Sequence, residues 1–142
     1  MKNPSGPIKS IDCACGLILE RGRILLGLRA PDNKIYPDVW DLFGGHVEDK
    51  ESIEEALVRE LREELDITPK TFEFLTTLLE ADPPNNGKCL YHIYKITEWA
   101  GPGPRLRGAE HTEMRWHTLD EAVSSNLAVP EYRTLFSDHV VL

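Results

Sequence analysis

The chain has 142 residues, a length that fits one domain, and its 41% hydrophobic and 28% charged residues are ordinary for a water-soluble globular protein. Its formal net charge of −8 argues against a nucleic-acid polymer or an anionic membrane as partner, because those surfaces demand clustered Lys and Arg. No apolar run approaches about 18 residues, so no membrane span is expected. The three cysteines, Cys13, Cys15 and Cys89, show no metal-ligand spacing and read as reduced, buried and structural, as in a cytoplasmic protein.

Residues 1–10, MKNPSGPIKS, lack the hydrophobic segment of a signal peptide and read as a flexible tail before a single domain over 11–142. IDCACGLILE (11–20) and RILLGLR (23–29) are strands joined by a hairpin at Arg21-Gly22. Residues 30–38, APDNKIYPD, form a loop, and VWDLF (39–43) forms a short strand ending at Gly44-Gly45. Ser52 and Glu55 make an S-x-x-E capping box, which starts a helix at Ser52 that runs to about Leu65 and stops before Pro69. FEFLTTLLEA (72–81) and KCLYHIYKIT (88–97) are strands around the turn signal DPPNNG, and AGPGPRLRG (100–108) is a loop carrying Arg105 and Arg107. EHTEMRWHT (110–118) is a strand, with a short helix from about Leu119 and a last helix over 130–140 with Pro130 in its first turn. Strands mixed with a few helices indicate an α/β or α+β layered domain.

The helix over 52–65 carries an unusual stripe. At about 100° per residue, Leu57, Leu61, Leu65 and Val58 form an apolar arc, with Arg62, Arg59, Glu55 and Asp66 opposite. Glu60, Glu63 and Glu64 follow the border between the two. Like charges at i, i+3, i+4 spacing repel. Near a core border they also lose hydration, so some protonate unless a cation sits among them. A hard divalent cation with oxygen ligands meets that need.

From Gly45 onward the spacing is Gly45, five residues, Glu51, seven residues, Arg59-Glu60-Leu61, one residue, Glu63-Glu64, one residue, Asp66, Ile67. This resembles the Nudix box, G-x5-E-x7-R-E-U-x-E-E-x-G-U, where U is a bulky aliphatic. Eight of nine specified positions match over 23 residues; Asp66 stands where glycine is expected. VWDLFGG is similar to the family's W-x-x-P-G-G segment with Phe43 in place of proline. EHTEMRWHTLDEA is similar to its later acidic strand, tryptophan and short helix.

The resemblance implies a Nudix fold, a mixed β-sheet sandwiched between helices. It implies hydrolysis, with Mg²⁺ or Mn²⁺, of a diphosphate bond in a nucleoside triphosphate or a nucleoside diphosphate linked to another group. Glu60 and Glu64 are then the main metal ligands, with Glu63 beside them and the Gly44 carbonyl completing the sphere. Glu51 and Arg59 hold the loop and orient the glutamates, and an i, i+4 pair between Arg59 and Glu63 is compatible with that role. Glu60 and Glu110 are candidates for the general base, with Glu113 a substitute if the register slips.

Arg29 is expected either to contact phosphate or to lie at the surface. Arg105 and Arg107 either guard the substrate mouth or sit on a solvated loop. Tyr36, Trp40, Trp99 and Trp116 are candidate base-stacking groups with core packing as the alternative. The histidines, His46, His92, His111, His117 and His139, show no ligand spacing. A non-catalytic nucleotide-binding protein and an isoprenoid-diphosphate isomerase are the competing functions; the first generally lacks box glutamates, and none is missing here. The expected partner is a small nucleotide, and a homodimer is compatible with the sequence.

Asp66 is expected just past the helix, in left-handed backbone. There its Cβ and its charge both disfavour the fold relative to glycine.

Overall fold

β1 (Ser10–Glu20) runs through the middle of the sheet and its side chains alternate between two buried faces. Cys13, Cys15, Leu17 and Leu19 point to one face, Ala14 and Ile18 to the other. A strand buried on both sides needs a layer over each face. The computed structural model, which describes residues 10–33, 36–80 and 88–140, supplies both. Helix α1 (Ile53–Leu65) covers the Ala14/Ile18 face, and α2 (Leu119–Ser124) and α3 (Tyr132–His139) cover the other.

The sheet order is β3 (Trp40–Asp41), β2 (Arg23–Arg29), β1, β6 (Lys88–Ala100), β5 (Thr68–Glu80), with β4 (Phe43–His46) on β1 and β7 (His111–His117) on β2. The sheet is mixed, because β1 and β6 run parallel while the other pairs are antiparallel. The expected hairpin is present. Arg21 and Gly22 both have positive φ, 52° and 74°, the backbone that a tight two-residue turn between twisted strands requires.

Several boundaries differ from the sequence reading. The strand expected over 39–43 breaks at Leu42, and Gly44-Gly45 lie inside β4, paired with Cys15 and Ala14, rather than after a strand. At Gly44 an added Cβ would collide with the Ala14 carbonyl, so glycine here is what lets β4 pair with β1. β5 starts four residues early and includes Pro69, which an edge strand tolerates. β6 extends past residue 97 to Ala100. Pro130 precedes α3, whose N-cap is Glu131. The turn signal over 82–87 and residues 1–9 of the expected tail lie outside the described residues.

Helix α1 starts as its sequence demands. The Ser52 Oγ accepts from the Glu55 N–H at 3.0 Å, and the Glu55 carboxylate accepts from the Ser52 N–H at 2.8 Å. It buries Ala56, Leu57, Leu61, Glu64 and Leu65, each large aliphatic contributing roughly 1.5–3 kcal/mol. Val58, expected in the apolar arc, is half-buried on the outer side. At the far end Asp66 is left-handed (φ 57°), as expected, but its carboxylate is not idle. It accepts from Arg105 at 2.7 and 3.0 Å and from Arg107 at 3.3 Å. The same loop donates the Arg105 and Arg107 N–H groups to the Leu65 and Glu64 carbonyls, at 3.0 and 2.9 Å. Orphan carbonyls at the helix end are thereby satisfied.

The cap penalty at Asp66 is therefore offset by two exposed ion pairs, each worth about 0.2–1 kcal/mol. Asp66→Asn keeps a residue that tolerates left-handed backbone and removes the charge. We expect it to lower stability by about 0.5–1 kcal/mol in low salt, with the difference shrinking in 1 M salt; urea denaturation at both ionic strengths measures it.

Candidate active site

The site forms where α1 faces β4 and the start of β7. Glu64 lies in the last turn of the helix and, as a residue, is only 7% exposed. Its Oε1 accepts from the Gly44 N–H at 3.0 Å. Glu60, one turn earlier, lies over Gly45, where a Cβ would overlap its carboxylate. The glycine pair thus serves two close approaches: Gly44 to the β1 backbone and Gly45 to a carboxylate of the helix.

Arg59 ties the preceding loop to the helix. Its Nε donates to Glu51 at 2.7 Å and its terminal nitrogens to Glu51 at 3.0 Å, to Glu60 at 3.1 Å and to the His46 carbonyl at 2.9 Å. Glu63 lies 3.5 Å from Arg59, the i, i+4 contact, and its side chain is 61% exposed. Glu63 thus faces the outer groove of α1, while Glu60 and Glu64 turn inward.

Glu110, just before β7, joins Glu64 from the sheet side, and Glu64, Glu110 and His111 each offer a donor atom within 4.8 Å of the others. Glu113 does not reach this place. The ladder with β2 shifts register between Leu28 and Arg29, which leaves Glu113 opposite Leu28, its carboxylate 3.2 Å from Arg115. Arg29 is not a surface residue: its side chain is 15% exposed, donates to Glu110 at 3.1 Å and to the Tyr36 carbonyl at 2.9 Å, and lies 3.6 Å from Asp41. Arg29, Asp41, Gly44, Gly45, Glu110 and Tyr132 are among the residues that line a cleft of about 140 Å³ beside the carboxylates. Tyr36 also lines it, with its hydroxyl donated to Glu80. The tryptophans pack instead: Trp99 stacks on Trp116 at 6.3 Å against the α1 core, and Trp40 meets His117 edge-on at 4.7 Å. Arg105 and Arg107 serve the helix end described above.

The model of the NUDIX domain matches residues 10–138. The chain belongs to the NUDIX family. It is 35% identical over 130 residues to the nucleoside triphosphatase NudI of Escherichia coli, covering 85% of this chain and 91% of that protein. Among solved structures it resembles the MutT NUDIX hydrolase of Burkholderia pseudomallei (TM-score 0.77, 26% identity, 94% of this chain and 99% of that one). It also resembles the E. coli ORF135 protein (TM-score 0.76, 29% identity, 93% and 91%). The activity of the family is hydrolysis of a diphosphate bond in nucleotide substrates, generally with a divalent metal, and this chain is a NUDIX-family diphosphohydrolase.

The electrostatics of this NUDIX domain follow from burial. Burial pushes the Glu64 carboxyl well above its ordinary range, and the Glu110 and Glu60 charges push it further; the Gly44 N–H opposes them. Burial also raises Glu60, against the pull of Arg59. Asp41 is raised to about 6, again by burial, although Arg29 and Tyr132 favour its charged form. Glu51 goes the other way: hydrogen bonds from Arg59 lower it to about 2. Burial lowers His111, so its imidazole is neutral near pH 7.

A divalent cation fits these residues. The Glu64 Oε2 is buried and has no hydrogen-bond partner among the described residues. Crowded, desolvated carboxylates with an uncommitted oxygen form a donor set suited to a hard ion. His111, passed over in the sequence for want of ligand spacing, is brought to Glu64 by strand pairing; its place directly after Glu110 was the one hint available.

Without metal, the folded state holds the Glu64 proton more tightly than the unfolded chain does. The stability this supplies is complete below the ordinary carboxylate value of 4.5 and is lost as pH rises above it. In chelator, thermal melts should therefore fall in midpoint from about pH 4.5 toward alkaline pH, and Glu64→Gln should flatten that slope and melt higher than the parent at pH 8.

Proposed function

We propose that this protein hydrolyses a diphosphate bond in a small nucleotide, either a nucleoside triphosphate or a nucleoside diphosphate linked to another group, using Mg²⁺ or Mn²⁺. The observation that carries the reading is Glu64: a carboxylate buried beside Glu60 and Glu110 with one oxygen unpartnered. The relative NudI supports a triphosphate over a larger conjugate, since its name is that of a nucleoside triphosphatase. Three buried, free cysteines are consistent with a reducing, cytoplasmic setting.

The residues that would hold the ion are Glu60, Glu64 and the Gly44 carbonyl, with Glu63 at the outer edge. When bound, the ion supplies positive charge to the phosphoryl oxygens and lowers the pKa of the attacking water. Arg59, pinned by Glu51 and the His46 carbonyl, fixes the rotamer of Glu60. Glu110 accepts the proton of the attacking water, and its hydrogen bond from Arg29 keeps its carboxylate aimed along the cleft. Arg29 binds a substrate phosphate from the cleft side. Glu113, paired to Arg115 away from the cleft, takes no part.

Glu64→Gln is expected to fold and to lower kcat at least ~100-fold, because a ligand acting in the transition state is lost. A panel of nucleoside triphosphates, dinucleotides and nucleotide sugars, assayed with Mg²⁺ and in excess EDTA, tests the whole reading. Metal should switch on phosphate or diphosphate release and raise the thermal midpoint. Full activity in EDTA, or near-parental kcat in Glu64→Gln, would overturn it; binding without turnover would make the protein a nucleotide sensor instead.

A further inference from the structure

His111 occupies a position that packing alone does not explain. It begins β7, where the register shift against β2 skips Thr112, so that His111 pairs with Arg29 while Glu113 pairs with Leu28. A bulge of this kind re-aims side chains. Here it keeps His111 on the face of Met114 and Trp116, which pack with α1. The ring lies against Phe43, centroids 4.7 Å apart. Gly27 makes room for it: a Cβ there would sit 2.7 Å from the imidazole Cδ2.

The residue is 5% exposed, yet its Nε2 has no hydrogen-bond partner among the described residues. Phenylalanine in the same slot would leave no polar atom unpaired. On its other side Nδ1 faces the Glu64 Oε2, also unpartnered, at 3.7 Å. That gap is too long for a hydrogen bond. Neighbouring donors held at about 2.1 Å in an octahedron lie about 3 Å apart, so a small closure of this gap would seat both on one ion. Glu110, the base proposed above, lies within the same 4.8 Å of both.

We propose that His111 is a nitrogen donor to the metal site, so that the site discriminates toward Mn²⁺ and Co²⁺ over Mg²⁺. The inference rests on the metal-dependent function proposed above. Its physical basis is ligand type: imidazole suits first-row transition ions, whereas Mg²⁺ takes oxygen. An all-carboxylate site carries less of that bias.

The test uses the whole chain and metal ions alone. Mg²⁺ and Co²⁺ affinities are measured by calorimetry for the parent and for His111→Phe, which keeps a ring against Phe43 and removes both nitrogens. ¹⁴N couplings are read from pulsed electron paramagnetic resonance of bound Mn²⁺. The expected result is a directly coordinated nitrogen in the parent that is absent in the variant. With it should come a loss of Co²⁺ affinity on the order of tenfold and a change in Mg²⁺ affinity below about threefold. His111→Asn, smaller and without an imidazole, gives the same readouts if His111→Phe does not fold. A parent without bound nitrogen, or equal losses for both ions, would overturn the inference and leave the metal-dependent reading standing. A parent that binds neither ion would overturn both.

Discussion

Glu64 must be ionised to hold a cation, yet the fold removes it from water. The rest of the site follows from that conflict. Taking a carboxylate out of water costs several kcal/mol even after relaxation. Two further carboxylates, Glu60 and Glu110, add repulsion. Against this the protein sets one backbone hydrogen bond, from Gly44, and the apolar burial of Leu57, Leu61 and Leu65 on the same helix. The helix is docked by its leucines, and Glu64 is carried inward with them. A cation entering the site would relieve a strain that the apolar face has already imposed, so its binding would raise stability.

Arg59 is the counterweight on the outer side of the same helix. Its guanidinium lies within 4.0 Å of Glu48, Glu51, Glu60 and Glu63. One positive charge among four negative ones leaves the segment acidic, so Arg59 organises the carboxylates without neutralising them. Its fork is used in full: Nε and Nη2 donate to Glu51, Nη1 to Glu60, and Nη2 is shared with the His46 carbonyl. Lysine, a single point charge, does not reproduce that geometry. The loop from His46 to Ser52 therefore keeps a fixed path between β4 and the capping box, and Glu60 stays over Gly45.

The helix, its start and its left-handed end were legible because they are local. A capping box spans four residues, and the box spacing spans 23. What escaped the sequence depends on distant partners. The break at Leu42 comes from strand pairing, with Trp40 on β2 and Phe43 on β1. The arginines that meet Asp66 lie 39 and 41 residues away, so the penalty of a charged C-terminal cap could be read but its compensation could not. His111 reaches Glu64 across 47 positions through a sheet bulge, and no pattern along the chain encodes a bulge. Arg29 had two readings, and burial removed the surface one. Tyr36 and the tryptophans are all half-buried against the core, and of these four Tyr36 is the one that lines the cleft.

An acidic protein acting on an anionic substrate has to place its few positive charges with care. Arg29 is the arginine in the cleft, and it is held from three sides, by Asp41, Glu110 and the Tyr36 carbonyl. Asp41 is itself fixed by Tyr132 at 3.0 Å and by the Leu42 N–H at 2.8 Å, at the break between β3 and β4. The chain of contacts runs from α3 through Asp41 and Arg29 to Glu110, and so links the two faces of the sheet. The break at Leu42 has a consequence for chemistry, then: it turns Asp41 toward Arg29 and Phe43 toward the α1 core within a single two-residue step. Glu110 gains a fixed direction from the far layer of the sandwich, while Glu60 and Glu64 gain theirs from the near one. Glu60 and Glu64, carried by the helix layer, converge with Glu110, carried by the sheet, because α1 packs on the Ala14/Ile18 face of β1.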